Sequence, residues 1–537
     1  MHLERRVLLA VTLSIIVILI YPLILAKINP ELKTSFQKSQ PVQKQEVISK
    51  NIEIQPEEKP SIKTLPSSAK MVSLNTAKYI LDINNIGGSI FRLTVKDAKR
   101  QHDVILIDNA IYEAGILSLE GKGILTGLSS QLFVIQEVTK NIVTETSDFR
   151  LEKNISFLKD KYGMEAVIDI TNKTGQTQNF TTDITMGSNI SKKELFENRY
   201  IELDIYYKDG SVKKIATHNL LDYNRLYKND IAWIALKNKY YSIIARPDFN
   251  AKGVFTKNIS GEPSIGFIIE DASVAPGETK VYRIDFYIGP MEIKELEKVD
   301  PDFTKALNFG FLTSISLVLL SILQFFYLIF HNYGISILFL TLCISLFLYP
   351  LTFKSLKSMQ KLQELQPHIE RIRQENKNNP TKLNKEIMEL YRRYKVNPMS
   401  GCMPMLFQMP VFIALYNTLS RSVELKNAPF LWIKDLSMPD AFFKLGFSLP
   451  LLGNAINLLP ILMIGAMILQ QKTSKLSTAS SQTEQQRMMA NIMPVMFGVI
   501  FYSLPSGLVL YWLTSTLVTS AMQFLCLRKQ QHNHGTA

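Results

Sequence analysis

The chain has 537 residues, 46% of them hydrophobic, with a formal net charge of +13 and a pI near 9.3. It is too long for one domain, and the clustering of its apolar residues describes an integral membrane protein with a soluble part. Much of the basic excess lies beside apolar stretches, where the positive-inside bias accounts for it without nucleic acid as a primary ligand; the three cysteines (Cys343, Cys402, Cys526) all lie in apolar C-terminal segments and exclude a disulfide framework.

Val7 to Ala26 is an apolar run of 20 residues after Arg5 and Arg6, about the length that ~30 Å of hydrocarbon requires. No A-x-A site follows, so residues 1–26 read as a retained anchor with its N-terminus inside. Residues 27–70, rich in Lys, Glu, Gln, Pro and Ser, read as a flexible linker. From 71 to 295 the pattern alternates, as in Tyr79-Ile-Leu-Asp-Ile, Ala166-Val-Ile-Asp-Ile and Val281-Tyr-Arg-Ile-Asp-Phe-Tyr, with turn signals at Gly87-Gly88, Asp209-Gly210 and Pro276-Gly277. Period 2 with β-branched and aromatic enrichment predicts strands, and a stretch this long suits one all-β sandwich outside the cytoplasm.

Leu307 to Phe330 is apolar enough to span, but a further apolar run starts at residue 335, and counting both would put the basic loop that follows outside. Residues 296–334 are therefore read as an interfacial amphipathic helix. Transmembrane helices are predicted at 335–353, 402–421, 455–471, 490–504 and 507–526. With the anchor these make six crossings, which return the tail 528–537 and its Arg528 and Lys529 to the cytoplasm.

Between the first two of these five spans, residues 354–397 form a charged hairpin. Eleven bases, among them Lys357, Lys361, Arg371, Arg373, Arg392 and Arg393, stand against five acids, so its net charge is 11 − 5 = +6. Leu362, Leu365, Ile369 and Ile372, then Leu383, Ile387, Leu390 and Tyr394, recur at 3,4 spacing and predict a seam between two helices. Asn376 to Pro380 breaks the pattern, because Pro lacks the amide donor and disfavours helix in its predecessor.

No G-x-x-x-x-G-K-[ST], H-E-x-x-H or G-x-S-x-G pattern occurs, and the seven histidines are scattered. The sequence thus offers no apparatus for an energy-consuming, metal-dependent or hydrolytic reaction, and calls for no cofactor and no metal. His532-x-His534 lacks a third ligand and reads as solvated tail.

The hairpin's flanks carry further motifs: Tyr349-Pro350-Leu-Thr352 before it, and Asn397-Pro398-Met-Ser-Gly-Cys402-Met-Pro404 running on to Gln408-Met409-Pro410-Val-Phe412 after it. Ser422-Val-Glu-Leu425, Asn457-Leu-Leu-Pro460-Ile-Leu-Met463 and Pro505-Ser-Gly-Leu-Val-Leu-Tyr511-Trp512 follow. Together these resemble the YidC/Oxa1/Alb3 family of membrane protein insertases, closely over 300–530. Residues 71–295 are similar, more loosely, to the periplasmic β-supersandwich of its Gram-negative members.

The resemblance implies a monomeric, energy-independent insertase of the bacterial inner membrane, not an enzyme, whose five conserved helices form a hydrophilic groove open to lipid and cytoplasm. It implies nascent membrane proteins as substrates, the Sec translocon, the ribosome and the signal recognition particle receptor as partners, and membrane lipids around it. Candidate polar lining of such a groove in this chain is Thr341, Ser345, Gln408, Asn417 and Gln523, with Met409, Phe412, Met463, Tyr511 and Trp512 as an apolar slide; of these Thr341, Met409, Phe412 and Trp512 match groove positions of the family. Members typically have Arg five residues before the Pro of Tyr-Pro-Leu-Thr; Ser345 stands there in this chain. Two other readings compete: a secondary transporter or channel, for which the internal repeats and paired intramembrane charges are missing, and a sugar-binding envelope protein, which would rest on fold alone.

Overall fold

The computed structural model describes residues 70–534, apart from 98–101, 110–114, 189, 191–199, 217–222, 228–229, 260–261, 308–311, 378, 398–402, 450–452 and 476–483. The predicted anchor 1–26 and nearly all of the linker 27–70 lie outside the described residues.

Residues 71–290 build three antiparallel sheets of four, five and nine strands. The four-stranded sheet is a meander from Met71 to Asp108. In the nine-stranded sheet the long strands Gly163–Asn172 and Thr279–Pro290 lie side by side at its centre. From Met164 onward, strand Gly163–Asn172 alternates buried and half-buried positions, the period-2 signal read from its sequence. At Gly87-Gly88 both backbones are left-handed (φ 72° and 54°), and a Cβ on Gly88 would come within 2.7 Å of the Phe133 ring. Only glycine fits that turn. Beneath it Lys153, fully buried, donates from Nζ to the carbonyls of Gly87 (2.9 Å), Gly88 (2.7 Å) and Leu117 (2.9 Å). Burial pushes its ammonium down to about 7.

The chain leaves the β domain through helix α1 (Ile293–Val299) and a 3₁₀ turn, Pro301–Ala306, whose first amides Asp300 caps. Phe303 on that turn packs edge-on against Trp233, which stacks on Tyr206 at 3.7 Å. Apolar burial of three rings clamps the exit segment to the sheet.

Among the described residues eight more helices follow: α2 (Thr313–Phe330), α3 (Tyr333–Glu364), α4 (Gln366–Glu375), α5 (Pro380–Arg393), α6 (Met403–Arg421), α7 (Leu458–Lys475), α8 (Glu484–Phe501) and α9 (Ser506–His534). α2 packs on α3 and α6, α9 on α3 and α7, and α8 on α7, while α6 touches α3 and α9 more lightly. α2, α3 and α9 are, among the described residues, the helices long and apolar enough to cross a membrane.

The elements differ from the sequence reading at several points. Segment 296–334 is not one helix, and α2 is not amphipathic: its inner face is Ser316, Leu319, Leu320 and Leu323, and its outer face is equally apolar, with Ile315, Val318, Phe325, Leu328 and Ile329 exposed. The hairpin arm does not begin anew at 354. α3 runs unbroken through Pro350 to Glu364, because nothing between 353 and 364 removes a donor or imposes another backbone conformation. The predicted span 455–471 opens on the last residues of a β-hairpin, Phe443–Leu449 with Gly453–Ile456, so helix starts only at Leu458. Span 490–504 ends at Phe501, where Tyr502 turns to bond Asn457 and Ala455, and helix α9 continues past 526 to His534.

Candidate functional site

On α6, Gln408 and Phe412 are one turn apart and share a face. Opposite them α9 presents Tyr511 and Trp512, held at its start where Ser506 Oγ donates to Asp435 O (3.0 Å) and the Gly507 amide to Leu436 O (2.9 Å). Gln408 Nε2 donates to the hydroxyl of Tyr511, whose ring is fully buried. The rest of the Gln408 carboxamide has no partner among the described residues, and the side chain is half-buried.

Trp512 sits at the centre of an aromatic cluster. Its ring meets Phe412 edge-on at 5.3 Å, stacks with Phe497 at 5.7 Å and lies 5.2 Å from Phe501; Phe412 and Phe501 are 5.6 Å apart. Phe497 and Phe501 escaped the sequence reading. Their i,i+4 spacing just before Pro505 was the available signal.

The other expected lining residues are placed differently. Thr341 is fully buried and its hydroxyl donates to Ile337 O (2.7 Å) in its own helix. Ser345, one turn on, is half-buried. Met463 is fully buried in the core, whereas Met409 is exposed. Asn417 is nine residues from Gln408, about 180° around an α-helix, so it does not share the face that meets Tyr511. The structure therefore joins Gln408, Phe412, Tyr511 and Trp512 into one site and leaves Asn417 outside it.

No Asp, Glu, Lys or Arg occurs within 333–353, 403–420, 458–471, 490–501 or 506–527. Two hydroxyls in this region bond to helix neighbours: Ser316 Oγ donates to Ala414 O (3.1 Å), and Thr418 Oγ1 to Ala414 O (2.8 Å) and Ser316 O (3.3 Å), tying α2 to α6. Among the described residues no group of three or more His, Cys, Asp or Glu could hold a metal ion.

Charge collects at the two ends. At one end, α4 and α5 enclose a small core of Leu365, Ile369 and Val396 with Leu362, Ile387, Leu390 and Tyr391; Tyr391 takes the seam place expected for Tyr394, which is half exposed. Asn379 accepts from Lys382 N and Asn376 Nδ2 donates to Glu386, so the turn is capped from both sides. Lys357, Lys361, Arg371, Arg392 and Arg393 are exposed and Arg373 is half-buried. At the other end, Arg421 closes α6 against the β domain, 3.8 Å from Glu202 and over the ring of Tyr200. Glu202 also pairs with Lys237 at 3.2 Å, and Tyr240 donates to Ser437 Oγ (3.1 Å).

A charge-free helical core, an all-β domain docked at one end and a basic helical hairpin at the other define an integral membrane protein that presents an uncharged polar and aromatic surface between its helices. Residues 325–533 match the family described as 60Kd inner membrane protein, and residues 72–322 match the YidC periplasmic domain. A membrane protein insertase YidC from Pelobacter propionicus is 31% identical over 549 residues, 97% of this chain and 98% of that one. Another, from Syntrophobacter fumaroxidans, is 39% identical over 320 residues, where the match spans 59% of this chain and 57% of that relative. A crystal structure of an active YidC insertase with its first transmembrane domain resolved shares 22% identity and covers 86% of this chain and 94% of its own, with a TM-score of 0.38. The chain belongs to the YidC family of membrane protein insertases.

Proposed function

We propose that this protein inserts and folds integral membrane proteins in the inner membrane, acting alone or beside the Sec translocon on nascent chains. The observation that carries the reading is the Gln408–Tyr511 pair beside the Phe412–Phe497–Phe501–Trp512 cluster, set among the helix stretches 403–420, 490–501 and 506–527, which hold no Asp, Glu, Lys or Arg. A polar segment crossing hydrocarbon loses several kcal/mol for each group left without a partner. The open half of the Gln408 carboxamide supplies such a partner, and the adjoining rings offer an apolar slide that fits varied side chains. Ser345, on α3 with Thr341, extends the polar lining toward the hairpin, and it brings no cation.

Charge and geometry support one topology. The +6 hairpin belongs in the cytoplasm, which puts the β domain in the periplasm and both chain termini inside. The neighbours of α2 support its return to the side it left: Leu307, before it, shares a small pocket with Arg421, and Gly334, after it, packs against Phe430. Ser316 meets Ala414 and Thr418, and Gln324 donates to Glu424, so α2 follows only the β-domain half of α6. A dipping helix with an apolar outer face suits an interfacial or re-entrant place. The hairpin is the receiving arm for substrates and for the ribosome and the signal recognition particle receptor, and anionic lipid neutralises its remaining bases.

Reconstitution of the purified chain in liposomes tests the function. A small single-span substrate is expected to become protease-protected; no insertion, accompanied by solute flux, would favour a transporter instead.

A further inference from the structure

The loop between α6 and α7 exposes apolar groups in a place where water would penalise them. Leu431 is 75% exposed and sits in the left-handed region (φ 52°), at the tip of a turn closed by mutual hydrogen bonds between Phe430 and Ile433 (2.9 Å each). A leucine there carries both backbone strain and bare apolar surface. Phe442 and Phe443, 55% and 59% exposed, open the β-hairpin Phe443–Leu449 and Gly453–Ile456. Both pieces are fixed to one point. Asp440 accepts from Trp432 Nε1 (3.3 Å) and from the first amides of α7, Leu458 (2.8 Å) and Leu459 (2.9 Å), while the Trp432 ring meets Phe442 edge-on at 6.3 Å.

The same end of the molecule is short of hydrophobic length. The apolar part of α7, Leu458–Lys472, is about 22 Å long and the uncharged stretch of α8, Met488–Phe501, about 21 Å, at 1.5 Å per residue, against ~30 Å of hydrocarbon. Tyr502, just past α8, bonds Ala455 O (2.9 Å) and the Asn457 amide (3.1 Å), so the hairpin stands over the ends of both helices. Its apolar surface continues that of α7, where Ile461 and Leu462 are exposed, and Lys434 and Lys444 flank it at headgroup reach.

We propose that Leu431, Phe442 and Phe443 form an anchor in the outer leaflet of the phospholipid bilayer, supplying the apolar depth that α7 and α8 lack. Aromatic rings at the boundary with flanking lysines match the chemistry of that layer. The proposal rests on the membrane placement given above. The test uses the full chain in proteoliposomes containing a phospholipid with a diazirine on its acyl chain, photolysed and mapped by mass spectrometry. Label is expected on Leu431, Phe442 and Phe443 as well as on Ile461 and Leu462, and at least fivefold less on Val138, an exposed residue of the β domain. Label on Ile461 and Leu462 with bare Leu431, Phe442 and Phe443 would overturn the anchor and leave the membrane placement standing; no label at either place would overturn both. In a Phe442→Ser/Phe443→Ser variant, loss of label at Leu431 with Ile461 unchanged is the expected signature, and undiminished label at Leu431 would count against a shared anchor.

Discussion

The β domain and the helical core solve opposite solvation problems with one chain. In the β domain apolar strands face inward and ion pairs such as Arg92–Asp108 and Arg283–Glu165 stand outside. In the core the outside includes Phe325, Leu346, Phe347, Ile461 and Leu525, and the buried polar groups include Ser316, Thr341, Thr418 and Ser506. The difference teaches that burial alone does not report hydrophobicity here; the sign of the surface reports which solvent each part meets.

The hairpin carries a net charge of +6 at one end of the core, and its removal breaks the contrast most severely. Deleting Leu356 to Arg393 with the spans kept is expected to reduce insertion at least tenfold in the liposome assay; unimpaired insertion would make the hairpin a passive lipid contact. In the β domain, Lys153→Met leaves three buried carbonyls without a donor and should lower its unfolding free energy by about 2–3 kcal/mol, read by denaturant titration of Trp233 fluorescence. Trp512→Ala opens the aromatic cluster between α6, α8 and α9. It should slow insertion several-fold while the β-domain transition stays put, and parallel loss of both would assign Trp512 to packing.

The pH response sharpens the contrast further. Lys153 is held near 7 when folded and returns to the ordinary lysine value of about 10.5 when unfolded, so between these values the unfolded chain binds more protons. Stability of the β domain is expected to rise with pH across that window, with a thermal midpoint higher at pH 9 than at 6.5 and a flatter profile in Lys153→Met. The smallest effect is expected from Ser345→Arg, a shift in preference toward substrates with acidic translocated tails. Equal, unchanged insertion of acidic and neutral tails would remove residue 345 from charge selection.

Much of this was legible in the sequence where a single solvent boundary governs the pattern. Strands such as Gly163–Asn172 alternate because one face is buried, and the turn at Gly87-Gly88 needs residues without a Cβ. Phe412 and Trp512 came from matches to family groove positions, and Gln408 from its polarity within a span, rather than from periodicity, since a helix in lipid is apolar all round and its groove face leaves no periodic trace. For the same reason Asn417 was grouped with residues it does not join, and Phe497 and Phe501 passed unmarked. Lys153 gave no sign either: its three carbonyl partners come from segments 36 to 66 residues away. Of the β-hairpin before α7, only Ala455 and Ile456 fell inside the run read as a helix, and its two strands went unread.

Helix α3 has a mechanical consequence. Its 32 residues form one rod of about 48 Å, carrying Ser345 on the membrane side and Lys357 and Lys361 on the other. The first break comes at Leu365, so a torque on the basic stretch reaches Ser345 through continuous helix, with Pro350 the one soft point in between. A displacement of the basic stretch and one at Ser345 are then mechanically linked through the same helix.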